Sequence, residues 1–151
     1  MKKIIVAFIM FSLFFVAFRD KDKDPLHKRI FNTNITEIKS GVPTNKIMKD
    51  ELEFKDGKVF SNFLNDKFNV SWLKYVIEKD TSYVDSITEA QVRYFEIKAS
   101  VKNEEKEETT LFCKIENENI EGEIKIMKND KLKKHFEFSG SEKATKIKDK
   151  K

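Results

Sequence analysis

Apolar and polar positions alternate with a period of two through most of residues 26–143. The pattern is clearest in the second half. In QVRYFEIKASVK, residues 91–102, Phe95, Ile97, Ala99 and Val101 share one face, and Glu96, Lys98, Ser100 and Lys102 share the other. In TTLFCKIE, residues 109–116, the inward set is Leu111, Cys113 and Ile115. In IEGEIKIM, residues 120–127, it is Ile120, Gly122, Ile124 and Ile126, and in KHFEFS, residues 134–139, it is Phe136 and Phe138. Alternation this regular marks antiparallel strands with one packed face and one face in water.

The first half carries one sharp signal. Asp56-Gly57 separates two alternating runs in ELEFKDGKVFS, which predicts a two-residue hairpin joining strands over 51–55 and 58–63. Its pairing puts Leu52, Phe54, Val59 and Phe63 on one face. A first strand is expected over 30–38, and GVPTNKIMKD, residues 41–50, reads as a loop because Gly41 and Pro43 interrupt the period. VSWLKYVIE, residues 70–78, is apolar on both sides, so it is a strand covered on both faces or a short helix. Residues 79–90 form a long connection, with one helical turn at the capping-box pattern Ser86-Ile87-Thr88-Glu89.

The expectation is an all-β domain of eight antiparallel strands in an up-and-down meander, without a helix after the leader. Closure into a barrel removes both sheet edges, and eight strands enclose either packed side chains or one small ligand. A two-sheet sandwich is the alternative.

The first eighteen residues break the period. Lys2 and Lys3 precede an uncharged apolar run over 4–18, the pattern of a signal peptide. It is shorter than the roughly 20 residues that span a bilayer. The end of the run offers Ala17 but bulky Phe15 two positions before it, so an uncleaved N-terminal anchor is the alternative. The organisation read from the chain is thus a signal or anchor over 1–18, a charged linker over 19–25, the barrel domain over 26–143 and a basic tail over 144–151. The protein is expected to be exported, periplasmic or secreted, and to touch membrane only through residues 1–18 if they are retained.

Composition adds bounds. A chain of 151 residues with 14 Phe has ample material for one core, and its 37% charged residues leave the rest well solvated. The formal charge of +4 includes Lys2 and Lys3, so the domain itself is nearly balanced. Lysines interleaved with glutamates cancel the field that a polyanion needs, which argues against nucleic acid even with Tyr75, Tyr83 and Tyr94 available for stacking. Cys113 is the sole cysteine, so no intramolecular disulfide forms; a monomer is expected.

DELEFKDGKVFS, together with the strands from Phe95 to Lys143, resembles small lipocalin-like β-barrel proteins exported by bacteria. The resemblance rests on residues 50–58 as the hairpin opening, Ile120 to Gly122 as an Ile-x-Gly strand, and Phe136 to Gly140 as the final aromatic strand. The chain departs from it at Leu111 and Phe112, where a Trp is usual, and near Lys114 and Glu118, where glycines are usual. The resemblance implies a fold and transfers no catalytic motif; most members have no assigned role.

No catalytic constellation, cofactor or metal site is expected. His27 and His135 lack partners at ligand spacing. Cys113 and His135 fall on opposite faces of their strands, and Asp80 and Asp85 lie in the long connection. The function read from the chain is a non-catalytic exported barrel binding a small apolar or lipid-like ligand. The candidate lining is Trp72, Tyr75, Phe54, Phe63, Phe95, Ile97, Phe136 and Phe138, with Trp72 and Tyr75 at the mouth. The alternative is a solid-core barrel that works through its outer surface as an envelope, interaction or inhibitor protein.

Overall fold

The computed structural model describes residues 24–144. The leader and most of the charged linker expected over 1–23, and the tail over 145–151, lie outside the described residues. The strands are β1 (Ile30–Lys39), β2 (Val42–Lys55), β3 (Lys58–Ser61), β4 (Leu73–Val84), β5 (Gln91–Lys102), β6 (Glu107–Glu116), β7 (Asn119–Lys128) and β8 (Lys131–Glu142). Each pairs antiparallel with the next, and β1 pairs with β8 from Phe31 opposite Glu142 to Glu37 opposite Phe136. The sheet is a closed eight-stranded barrel, and the sandwich alternative is excluded.

One helix interrupts the meander, contrary to expectation. α1 (Asn62–Phe68) follows β3 directly, so the strand expected to reach Phe63 ends at Ser61. The local chemistry explains the switch. The Ser61 hydroxyl accepts from the Leu64 amide at 3.0 Å and donates to Asp50 at 2.6 Å, while Asp50 accepts from the Phe63 amide at 2.9 Å. Asn69 ends the helix in the left-handed conformation, with its amide on the Asn65 carbonyl and the Val70 amide on the Leu64 carbonyl.

Three further segments differ from the expectation. Residues 42–50 are strand, because β2 pairs with β1 from Val42 to Glu53, with residues 44–46 bulged between the Thr36–Ile47 and Ile38–Pro43 pairs and Pro43 near the β1–β2 turn. β4 begins at Leu73, and only its Leu73 and Tyr75 side is buried, so it is not covered on both faces. The long connection is largely strand to Val84. A bulge between Ile77 and Lys79 places Ile77 opposite Ile97 but Asp80 opposite Phe95, and the extra residue hides the alternation. In the turn after β4, Asp85 rather than Ser86 caps, accepting from the Ile87 and Thr88 amides at 2.8 Å each.

The hairpin turn is as expected. Asp56 and Gly57 both have positive φ, +51° and +72°, and Leu52, Phe54, Val59 and Phe63 are all buried. Gly122 and Gly140 lie where neighbouring strands approach too closely for a side chain. A Cβ at Gly122 would sit 2.2 Å from the Phe112 carbonyl oxygen, and one at Gly140 would sit 2.0 Å from that of Asn32.

The meander gives the barrel two unlike ends. The β2–β3, β4–β5 and β6–β7 turns gather at the floor. Residues 24–29 close it: Leu26 is fully buried, the Lys28 amide donates to the Phe54 carbonyl, and the Arg29 carbonyl accepts from the Phe54 amide. The β1–β2, β5–β6 and β7–β8 turns gather at the other end, the mouth, which α1 partly covers.

Candidate functional site

The interior is a core. Phe54, Phe95, Ile97 and Phe138, all expected to line a ligand space, pack with Phe31, Ile35, Leu52, Leu111, Cys113 and Ile115 in one buried cluster. Phe54 meets Phe31 and Tyr75 edge-on at ring-centroid distances of 5.8 and 5.5 Å. Tyr75 is therefore at the floor rather than the mouth, and its hydroxyl donates to Asp24 at 2.6 Å. Burial, reinforced by that carboxylate, pushes the phenol well above its usual range. Trp72 is outside the barrel, stacked at a tilt on Phe60 with centroids 5.2 Å apart. Val101, expected inside, is exposed at the mouth end of β5, and the rest of the inward set is buried as expected, apart from Gly122, which is half-buried.

Two of the expected lining residues do meet around an open space. Phe63 from α1 and Phe136 from β8 stand 5.0 Å apart edge to face, and Phe68 closes a triangle with them at 5.7 and 5.9 Å. With Met48 they floor a cleft of about 290 Å³ at the mouth. Its rim is Lys46, Lys67 and Lys134 with Glu37 and Thr44. Lys46 and Thr44 reach this rim from the bulged stretch of β2 above Met48, and Lys134 stands two residues before Phe136 on β8.

The rim is electropositive. Lys134 donates to Glu37 at 2.6 Å, and this bond, with Lys39 at 3.5 Å, holds the Glu37 carboxyl below its usual range. Among the described residues no carboxylate lies within ion-pair distance of Lys46 or Lys67. The Thr44 hydroxyl oxygen is shielded and lacks a hydrogen-bond partner, a buried polar group that is normally satisfied. Sequence reasoning missed Met48, Lys46 and Thr44 because it took residues 41–50 for a loop. It missed Phe68 because the Ser61 cap and the helical spacing of Phe63, Leu64 and Phe68 went unused.

A second, larger concavity of about 780 Å³ runs over the outer wall, bordered by Asn34, Thr36, Phe112, Glu121, Glu123 and Ser139. Its carboxylates are partly engaged: Glu123 accepts from Lys125 at 2.6 Å and lies 3.0 Å from the His135 ring, and these contacts, the lysine first, lower its pKa.

The nucleophile candidates do not converge. Cys113 is fully buried on the inner wall, and burial pushes its thiol up to about 12, away from thiolate chemistry at neutral pH. His135 faces out toward Glu123. Asp80 pairs with Arg93 at 3.2 Å on the surface. Among the described residues no three metal-ligating side chains come together, and no helix is long and apolar enough to cross a membrane.

The chain matches no family model, and no curated protein or solved structure shows a significant match to it.

Proposed function

We propose that the protein is a non-catalytic exported barrel, lipocalin-like in kind, that binds one small apolar or lipid-like molecule at its mouth, above a filled core. The observation that carries this reading is the aromatic floor of Phe63, Phe68 and Phe136 framed by lysines. Apolar walls with a few polar groups at one side are what a small-molecule site requires. The cleft's 290 Å³ falls at the small end of such sites, so a short acyl chain or one ring system fits it. The burial of Cys113 and the outward aspect of His135 support a binding rather than a catalytic role. Export rests on the leader pattern of residues 1–18.

The second reading is a solid-core barrel acting through its surface, and one observation favours it. β3 reaches β4 only at Lys58–Lys74 and Val59–Leu73, so β4 beyond Tyr75 has no β3 partner along that edge. That stretch carries exposed Val76, Tyr83 and Val84. An unpaired edge with apolar side chains is a template for an added strand.

Native mass spectrometry of protein purified from the cells that make it separates the two. The ligand reading expects a reproducible adduct that organic extraction releases and that Phe68→Ala removes. Repeated recovery of bare protein would favour the surface-acting reading.

A further inference from the structure

The two ends of the barrel expose apolar side chains in opposite electrostatic settings. At the mouth, Val42 follows the β1–β2 turn at 64% exposure and Leu132 follows the β7–β8 turn at 52%. These turns are neighbours, because β1 and β8 are paired and Glu37 already lies opposite Phe136. Around them stand Lys39, Lys46, Lys67, Lys131, Lys133 and Lys134, against Glu37, Asp66 and Asp130. Six cations against three anions leaves this sector three charges positive, and Lys134 and Lys39 already neutralise Glu37. At the floor, the β4–β5 turn presents Ile87 at 90% exposure with Tyr83 and Val84, but its charged neighbours include Asp80, Asp85 and Glu89, with Arg93 paired to Asp80. The β5–β6 turn, also at the mouth, is acidic through Glu104, Glu105, Glu107 and Glu108. It touches the β7–β8 turn, where the Asn129 amide donates to the Lys106 carbonyl and Lys128 pairs with Glu105 at 3.2 Å, so the positive sector lies on the β1, β8 and α1 side of that contact.

From this we infer that the β1–β2 and β7–β8 turns form a docking face for anionic membrane lipid. Val42 and Leu132 enter the headgroup region, and Lys131, Lys133 and Lys39 meet the lipid phosphates. The arrangement is that of interfacial binding: a small apolar wedge ringed by long cationic side chains whose stems lie along the boundary while their amino groups reach the phosphates. Salt screens such contacts, so the docking is reversible. The face borders the Phe63–Phe68–Phe136 cleft, which opens a short path between a bilayer and that site. The inference stands on the turns and the lysines, none of which except Lys46, Lys67 and Lys134 line the cleft, so it does not depend on what the cleft holds. It is also a membrane contact separate from residues 1–18.

The test uses the full chain with an environment-sensitive fluorophore placed by Leu132→Cys at the mouth or Ile87→Cys at the floor. Cys113 is fully buried and stays unlabelled in the folded protein. Each labelled protein is titrated with vesicles of phosphatidylcholine alone and of phosphatidylcholine mixed with phosphatidylglycerol, and with polyglutamate. The expected result is a blue shift at position 132 that exceeds any at 87 and occurs with the mixed vesicles only. Adding Lys131→Gln and Lys133→Gln should weaken that partitioning on the order of tenfold, since each lysine near an anionic surface contributes a few-fold. A shift at 132 no larger than that at 87, an equal shift on phosphatidylcholine alone, or a response to polyglutamate without one to vesicles would overturn the inference. Because both labelled chains carry the same N-terminal run, insertion of that run cannot mimic the expected difference.

Discussion

The Tyr75 hydroxyl donates to Asp24 Oδ1 at 2.6 Å, tying the start of the described chain to β4 across the barrel floor. The same carboxylate accepts from the Leu26 amide and, through Oδ2, from the Gly57 amide, each at 3.1 Å. Asp24 thereby fixes the segment that inserts Leu26 as the plug and anchors the β2–β3 turn beside it. In the sequence Asp24 reads as part of a solvated charged run. The Leu26 amide is a local donor two residues on, but Gly57 and Tyr75 come from positions that only the folded barrel brings to it.

Tyr75→Phe removes this bond while keeping the ring against Phe54. A hydrogen bond to a charged acceptor is worth about 1.5–3 kcal/mol, and partial exposure puts this one at the lower end. The expected loss is about 1.5 kcal/mol, with an unfolding midpoint lower by roughly 5 °C. Hydrogen exchange should quicken at Lys28 and Phe54, whose amides hold the plug in place. Unchanged exchange there would show that the plug is held by Leu26 alone.

Asp50 gives a pH dependence whose sign is fixed by its surroundings. Desolvation raises its pKa above 3.8, outweighing the bonds from Ser61 and the Phe63 amide. A folded-state value above the unfolded one means the native protein holds the proton more tightly. The associated stability is present below 3.8 and is lost as pH rises through the folded value. Asp50→Asn keeps an acceptor for the Phe63 amide and removes the titration. The midpoint of the variant relative to the parent should therefore improve on going from acid to neutral pH. Asp50→Ala removes the same titration and in addition should cost about 1–3 kcal/mol, because it leaves the Phe63 amide unpaired. Parallel curves for parent and Asp50→Asn would contradict the assignment.

Two glycines separate backbone conformation from space. Gly57 has positive φ and nothing within 4 Å of a built Cβ, so Gly57→Ala should cost about 1–2 kcal/mol, the left-handed penalty alone. Gly122 has ordinary φ but meets the Phe112 carbonyl oxygen, Phe138 and Cys113, so Gly122→Ala must part β6 from β7. It should lose well over 3 kcal/mol or fail to fold, as overpacking at a site with backbone neighbours does. Denaturant midpoints for the two variants check the order.

Most of the fold is legible where one rule governs. From β5 to β8 the faces alternate without interruption until a bulge between Ile126 and Met127, and the inward residues of these strands follow directly, apart from Val101 at the exposed mouth and half-buried Gly122. The first half fails where a second rule intervenes. In β4 the bulge after Ile77 reverses which parity faces the core. In β2 the apolar positions 42 and 47 face water while Lys46 lines the cleft from the bulge before Ile47, so hydrophobic patterning points the wrong way. The candidate site was legible only in Phe63 and Phe136. Its other members depend on α1 folding back over β8, a tertiary contact that local periodicity does not encode.

The central claim is that a small apolar or lipid-like molecule binds at the mouth and not among the core side chains. Methyl-labelled methionine NMR tests it directly, because Met48 lines the cleft while Met127, on β7, does not. Titration with decanol and with decanoate should move the Met48 resonance saturably and leave that of Met127 in place, and Phe68→Ala should weaken the effect. A Met48 signal unmoved by either probe, or shifts at core methyls of Ile97 and Leu111 in its place, would contradict the account.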